Sequence, residues 1–329
     1  MPNNFIQANW NAPKNIKTLV TTINIPLESH SRLDPEPTPS APLNAKTYNA
    51  INIIPQTVVP EQSQIHHATN RKQQKTESIF FGFNLATHVN DDINVVMHNR
   101  KILNQFLPSA PHWLLQTHSN NVLAIDSLNQ QYLSPSSQLP TMSSTLRRKS
   151  TPLKSSDIKI NKESHEYQNY DAAITFTKNK VCVVLTADCI PILLTDTLGS
   201  FVAAIHAGRV GIAKNIIKHT INKASVTSNK ILAYIAPAIC QKHYEVGSDI
   251  LDEFKQLDHR YPKFFQEKAI PNKFDLDLNG IAALQLLDAG LLLNNIYQSG
   301  ICTYCHSDTF YSYRKNKNSG RFASLIWIA

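Results

Sequence analysis

Two short stretches, residues 181–185 and 201–205, are apolar almost throughout, without the alternation that leaves one face of a strand to water. Runs of that length and composition fit strands covered on both faces, so they predict buried strands inside a layered domain. Strand-like and helix-like runs alternate around them. Residues 18–23 are rich in β-branched side chains, as a strand should be, and residues 113–116, 122–125, 230–235 and 324–328 read as further strands. Apolar residues recur at helical spacing over residues 92–106, 212–220, 244–257 and 279–289, with Gly290 placed to end the last of these. The mixture predicts an α/β to α+β fold, with mixed β-sheets flanked by helices. At 329 residues the chain can bury a sizeable core, and residues 1–329 are read as a single domain.

Two segments, residues 26–75 and 127–165, interrupt this pattern. Both are rich in Ser, Pro, Asn and Gln and lack a sustained apolar period, so they predict long surface insertions of low order. The second holds Arg147, Arg148, Lys149, Lys154, Lys159 and Lys162 against Asp157 and Glu163, which is half of the formal net charge of +8. Positive charge gathered in such a segment reads as a solvated stretch, which argues against a nucleic-acid partner. No apolar run reaches the 18 residues of a membrane span, and residues 281–293 are interrupted by Gln285 and Asp288. The first 22 residues lack a secretory apolar core, and five cysteines match no disulfide framework. These features predict a cytoplasmic protein whose thiols serve packing or metal binding.

Three residues of metal-ligand type stand at the ends of predicted strands. His118 lies between two short strands, Cys189 ends the run that begins at Val181, and His206 ends the run that begins at Phe201. Strand ends join rigid backbone to open loop, which suits an accurate but accessible site. One thiolate and two imidazoles suit zinc, with copper as the alternative, and three protein ligands leave a fourth position for water or substrate. Spacing alone does not decide the matter, because a packed thiol or a satisfied core imidazole would look the same.

The chain also carries an ordered series of words. They are Trp10-Asn11-Ala12-Pro13, Leu19-Val20-Thr21-Thr22, Phe83-Asn84-Leu85, Asp91-Asp92, Asn99-Arg100 and the stretch from Trp113 to His118. Thr186-Ala187-Asp188-Cys189-Ile190-Pro191, His206-Ala207-Gly208, Pro237-Ala238-Ile239, Tyr244-Glu245-Val246-Gly247, Phe310-Tyr311-Ser312-Tyr313-Arg314 and Gly320-Arg321 follow. In this order they resemble the YfiH-like family, known also as multicopper polyphenol oxidase-like, laccase-domain or purine nucleoside phosphorylase proteins. The resemblance covers nearly the whole chain apart from the two insertions. It implies a YfiH-like layered fold and places His118, Cys189 and His206 on the family's zinc ligands.

The same resemblance implies phosphorolysis of adenosine, inosine or methylthioadenosine, adenosine deamination, or copper-dependent phenol oxidation. A purine nucleoside and phosphate are the implied partners. Deamination needs a carboxylate to shuttle protons beside the metal, and Asp188 is the nearest in sequence. An orienting role, bonded to a ligand histidine or to backbone, suits Asp188 equally well. Phosphorolysis needs a cation for phosphate, for which Arg314, and after it Arg209, are candidates against ordinary structural arginines. Multicopper chemistry needs clustered histidines, and no H-x-H pair occurs among the thirteen.

Some positions depart from the family pattern. Where the family reads His-Ala-Gly-Trp-Arg-Gly, this chain has His206-Ala207-Gly208-Arg209-Val210-Gly211, and Ser119 replaces the glycine after the first histidine. An early Thr-Thr-Arg becomes Thr21-Thr22-Ile23, so two family arginines are lost, at Ile23 and Val210. The departures threaten anion binding more than metal binding, and they admit a non-catalytic metal-binding relative. Finally, Cys302-Thr303-Tyr304-Cys305-His306 matches the pattern for covalent haem attachment. Without an export signal, chance core thiols are the favoured reading, with a second metal or a redox pair as alternatives.

Overall fold

The computed structural model describes residues 5–24, 82–132, 160–161 and 166–329. The expected insertion over residues 26–75 lies outside them. Of the one over residues 127–165, the first residues continue a 3-10 helix, Ile125–Tyr132, and residues 133–159 and 162–165 lie outside.

Two sheets pack face to face. The first is antiparallel, in the order β1 (Phe5–Ile6), β2 (Ile16–Thr21), β16 (Phe322–Ile328) and β8 (Cys182–Thr186). The second runs β15 (Ile296–Gln298), β11 (Ile231–Ile235), β9 (Ile190–Asp196), β10 (Val202–Ala207), β7 (Ala172–Thr175) and β4 (Val122–Ala124). Its outer pairs, β11 with β15 and β4 with β7, are parallel, and its central pairs are antiparallel. Two small sheets complete the set among the described residues. One joins β12 (Glu245–Gly247), β14 (Lys273–Leu276) and β13 (Phe265–Glu267), and the other joins β3 (Leu114–Leu115), β6 (Glu166–Gln168) and β5 (Ile160–Asn161).

Helices cover the outer faces. Helix α1 (Ile93–Asn104) brings Leu103 onto Leu19, Val183, Leu185, Leu325 and Trp327 of the first sheet. A short α2 (Arg209–Ala213) leads into α3 (Ile216–Ala224), and α4 (Ser248–Leu257) precedes α5 (Leu278–Asp288). Ile217 and Ile221 of α3, with Ile281 and Leu284 of α5, cover Ile192, Leu194, Ala203 and Ile205 of the second sheet. The layers therefore run helix, sheet, sheet, helix. This explains the two apolar runs that lack alternation. Cys182 and Val184 face the second sheet while Val183 and Leu185 face the α1 side. Val202 and Ala204 face the first sheet while Ala203 and Ile205 face the helices. Each large apolar side chain so enclosed contributes about 1.5–3 kcal/mol.

Three expectations are revised. The run beginning at Val181 does not continue to Cys189: β8 ends at Thr186, and a second wholly buried strand, β9, starts at Ile190. Pro191 sits second in β9, near the strand's start, where a missing N–H is tolerated. The apolar period over residues 244–257 is helical from Ser248 onward, because Glu245–Gly247 pair with Lys273–Asp275 across 28 residues of chain. Residues 212–220 fall in two helices, broken at Asn215, whose φ is 59°. The helix expected to end before Gly290 is present, capped by Asp277 accepting from the Gly280 amide at 2.9 Å, with Gly290 at φ +96°.

Candidate metal centre

Residues 187–189 carry the chain from the first sheet to the second, so Cys189 stands at the seam of the two sheets. His206 lies on β10 opposite Pro191, and strand alternation after Ile205 turns its side chain toward the same seam. His118 sits at φ 58° in the loop between β3 and β4. The Gln116 amide fixes this loop by donating to the Leu185 carbonyl and accepting from the Leu185 amide, both at 2.7 Å. The three ligand atoms lie within 4.8 Å of one another, with His118 Nε2 3.8 Å from Cys189 Sγ. Burial deepens from exposed His118 through half-buried Cys189 to buried His206, so the cluster opens on the His118 side.

Asp171 organises the group and is missing from the sequence reading. Fully buried, it accepts from His206 Nδ1 at 2.8 Å and from the His118 amide at 3.0 Å through Oδ1. Its Oδ2 takes the amides of Thr117 and Ser119 at 3.2 and 2.6 Å and the Ser119 hydroxyl at 2.7 Å. Holding Nδ1–H leaves His206 Nε2 as the metal-facing lone pair. Burial works to raise the Asp171 pKa, but the bond and charge of His206, with the bonds from Ser119, hold it below the ordinary carboxylate range. Its position just ahead of β7 matches the strand-end rule that picked out the ligands.

Charge is redistributed within the cluster. Burial pushes the Cys189 thiol up, yet the charge on His206 and the bonds from both histidines bring it down to about 6. Burial lowers His206, while Cys189 and Asp171 together raise it to about 9. A thiolate beside an imidazolium is a site ready to exchange that proton for a metal cation. Gly208 closes the cradle: a Cβ there would lie 2.8 Å from His118 Cδ2 and 3.0 Å from Cys189 Sγ. The donor set and this packing fit a metal ion held by one sulfur and two imidazole nitrogens.

Of the other expected residues, Asp188 adjoins the cluster at φ 91°, a left-handed conformation uncommon for aspartate. Its Oδ1 accepts from the Thr303 hydroxyl at 2.7 Å and its Oδ2 from the Arg314 amide at 2.6 Å, so both oxygens are engaged. The Arg314 guanidinium donates to the Glu245 carbonyl at 2.8 Å and lies 5.1 Å over the Tyr244 ring. Burial, with the negative charges of Cys189 and Asp188, pushes the Tyr244 hydroxyl up to about 12, against the lowering effect of Arg209 and Arg314. Arg209 is paired with Glu253 at 2.6 Å. Burial pulls Arg321 below the ordinary arginine range, against the charges of Cys189 and Asp188, and its guanidinium is held by the Ser319 and Gly320 carbonyls.

Other words of the series serve packing. Arg100 is buried, bonded to the Leu85 carbonyl at 2.9 Å and Glu166 at 2.6 Å, and stacked 4.0 Å over Trp113. Asn84 binds Asp91 at 2.8 Å and the Arg321 amide at 2.9 Å. Among the described residues, no helix is long and apolar enough to cross a membrane.

Fold and site define a layered α/β protein with a Cys-His-His cluster of metal-ligand type at the junction of two sheets. The model of the multi-copper polyphenol oxidoreductase laccase family matches residues 65–329. The chain belongs to this family, the YfiH-like proteins. It is 33% identical over 263 residues to a purine nucleoside phosphorylase of Haemophilus influenzae, covering 79% of this chain and 92% of the relative. It is 30% identical over 247 residues to purine nucleoside phosphorylase YfiH of Escherichia coli, covering 74% and 86%. A crystal structure of a Neisseria meningitidis protein superposes with a TM-score of 0.67 at 28% identity, over 99% of both chains.

Proposed function

We propose that this chain is a zinc-dependent purine nucleoside phosphorylase acting at the His118, Cys189 and His206 cluster. One observation carries the reading: a thiol of lowered pKa and two imidazoles converge on one point, next to Asp188, which holds the Arg314 backbone amide. Relatives at 30–33% identity that bear the name purine nucleoside phosphorylase support the substrate class. Zinc suits one thiolate with two imidazoles, and copper is the second ion this donor set accepts. Bound there, the ion supplies a Lewis acid beside the substrate.

In phosphorolysis a phosphate oxygen bonds to C1′ of the ribose, and the C1′–N9 bond breaks with its electron pair leaving on the purine. Arg314 is the phosphate-binding candidate, because its guanidinium keeps donors beyond the one given to Glu245. Asp188 is then a positioning residue: it holds the Arg314 backbone amide and the Thr303 hydroxyl. Tyr244 braces the guanidinium from its ring face. Ile23 and Val210, which replace family arginines, predict weaker phosphate binding than a chain with both would have. Five cysteines with no disulfide among them fit a reducing compartment, the cytoplasm.

Incubation of the zinc-loaded protein with adenosine, with and without phosphate, tests this. Adenine and ribose 1-phosphate, formed with phosphate present and lost in Cys189→Ala, are expected. Inosine without phosphate would assign deamination instead, and phenol oxidation by the copper-loaded protein alone would assign the laccase activity. No turnover with zinc bound would leave a metal-binding relative without this catalysis.

A further inference from the structure

We propose that Cys240, His243, Cys302 and Cys305 form a second zinc site, structural in role and separate from the Cys189 cluster. Their four ligand atoms lie within 4.8 Å of one another. His243 Nδ1 stands 3.2 Å from Cys240 Sγ, 3.4 Å from Cys305 Sγ and 4.0 Å from Cys302 Sγ. A tetrahedral ion with bonds of about 2.3 Å to sulfur and about 2.0–2.1 Å to nitrogen sets these separations at about 3.5 Å. The three observed values bracket that figure. Three thiols and one imidazole are a complete ligand set for closed, structural zinc.

Topology explains why Cys240 and Cys302, 62 positions apart, meet. The parallel strands β11 and β15 are neighbours, so the loops that follow them leave the sheet side by side. The first loop carries Cys240 and His243, separated by two intervening residues like the pair Cys302 and Cys305 on the second. The loops are laced together beside the ligands: the Ala238 amide donates to the Ile301 carbonyl at 3.2 Å, and the Thr303 amide to the Ala238 carbonyl at 3.1 Å. The Cys240 amide donates to Cys302 Sγ at 3.3 Å, a bond that stabilises a thiolate. Tyr304, between the two cysteines of the second loop, stacks on His243 with centroids 4.2 Å apart and planes 13° from parallel. His306 takes no part, since its Nδ1 faces the Cys302 carbonyl at 3.0 Å. The match to a haem-attachment pattern is thus resolved as one half of a Cys-Cys-Cys-His cluster. A Cys302–Cys305 disulfide would use two of the four groups and give no role to Cys240 and His243.

The site has a consequence for its neighbour. Thr303 lies inside the second ligand pair and donates to Asp188, while the Ile239 amide, next to Cys240, donates to the Asp188 carbonyl at 3.0 Å. An ion joining the two loops therefore clamps the backbone beside Cys189 without entering the reaction.

Metal content of the full-length chain, purified under reducing conditions, tests the proposal independently of any activity. Two equivalents of zinc are expected in the wild type. One is expected in Cys302→Ser/Cys305→Ser and one in His118→Ala/Cys189→Ala, so failure at either site is separately visible. A folded Cys302→Ser/Cys305→Ser variant with undiminished zinc overturns the proposal. Should that variant not fold, the wild type serves: alkylation of exposed Cys305 by iodoacetamide should slow at least tenfold with zinc and recover with chelator. Equal alkylation with and without zinc, or a Cys302–Cys305 disulfide persisting in zinc-treated protein, also overturns it.

Discussion

Replacing Asp171 with asparagine keeps the side chain's shape and removes its charge at the point that orders the metal centre. The native carboxylate receives five hydrogen bonds and offers none, because every neighbouring group is a donor. An asparagine amide must point its NH2 at one of the two donor sets. Aimed at the Oδ2 side, it opposes the Thr117 and Ser119 amides, and leaving a buried donor unsatisfied costs about 1–3 kcal/mol. Aimed at the Oδ1 side, it opposes the His118 amide and invites His206 to accept at Nδ1. That tautomer carries its proton on Nε2 and has no lone pair for a metal. Loss of a partner that orients a ligand histidine costs about 10–100-fold in metal affinity, which is about 1.4–2.8 kcal/mol. Competition with a chromophoric chelator should therefore show zinc binding at this site weakened by at least tenfold in Asp171→Asn. Ser119→Ala, which removes the hydroxyl bonded to the same carboxylate and to the Asn121 amide, should cost about 1.5–3 kcal/mol in stability. Zinc affinity of Asp171→Asn within twofold of wild type would refute the reasoning.

Two further outcomes follow from the same geometry. Gly208→Ala places a Cβ 2.8 Å from His118 and 3.0 Å from Cys189, well inside the carbon contact distance of about 3.5–4.0 Å. Ligands must then move further than the ~0.2 Å a coordination shell tolerates, so zinc affinity should fall at least tenfold, and an unchanged chelator titration would count against the cradle. The lowered Cys189 pKa means its thiolate survives acidification until about pH 6. In metal-free protein the rate of Cys189 alkylation should be half-maximal near that pH, and a midpoint near 9 would exclude the imidazolium partner.

Strand ends singled out His118, Cys189 and His206 in the sequence, and the ordered family words, not their spacing, implied a ligand role for them. Cys189 and His206 follow stretches that must be buried strands, and strand ends recur at one rim of a sheet. The layered class was legible for the same reason, since residues 181–185 and 201–205 are apolar on both faces. Interactions between distant segments were not legible. Asp171 lies 35 residues from His206, and nothing in its local word announces that it gathers the histidine and three backbone amides. Residues 245–247 have a helical apolar period, yet a strand partner at residues 273–275 overrides it. Cys302 and Cys305 looked like chance thiols until the parallel pairing of β11 and β15 brought Cys240 and His243 beside them. Sequence by itself determined which segments must be buried and which residues could bind a metal. Tertiary structure decided which of those residues meet, because a site of several donors exists only once strands far apart in the chain have paired.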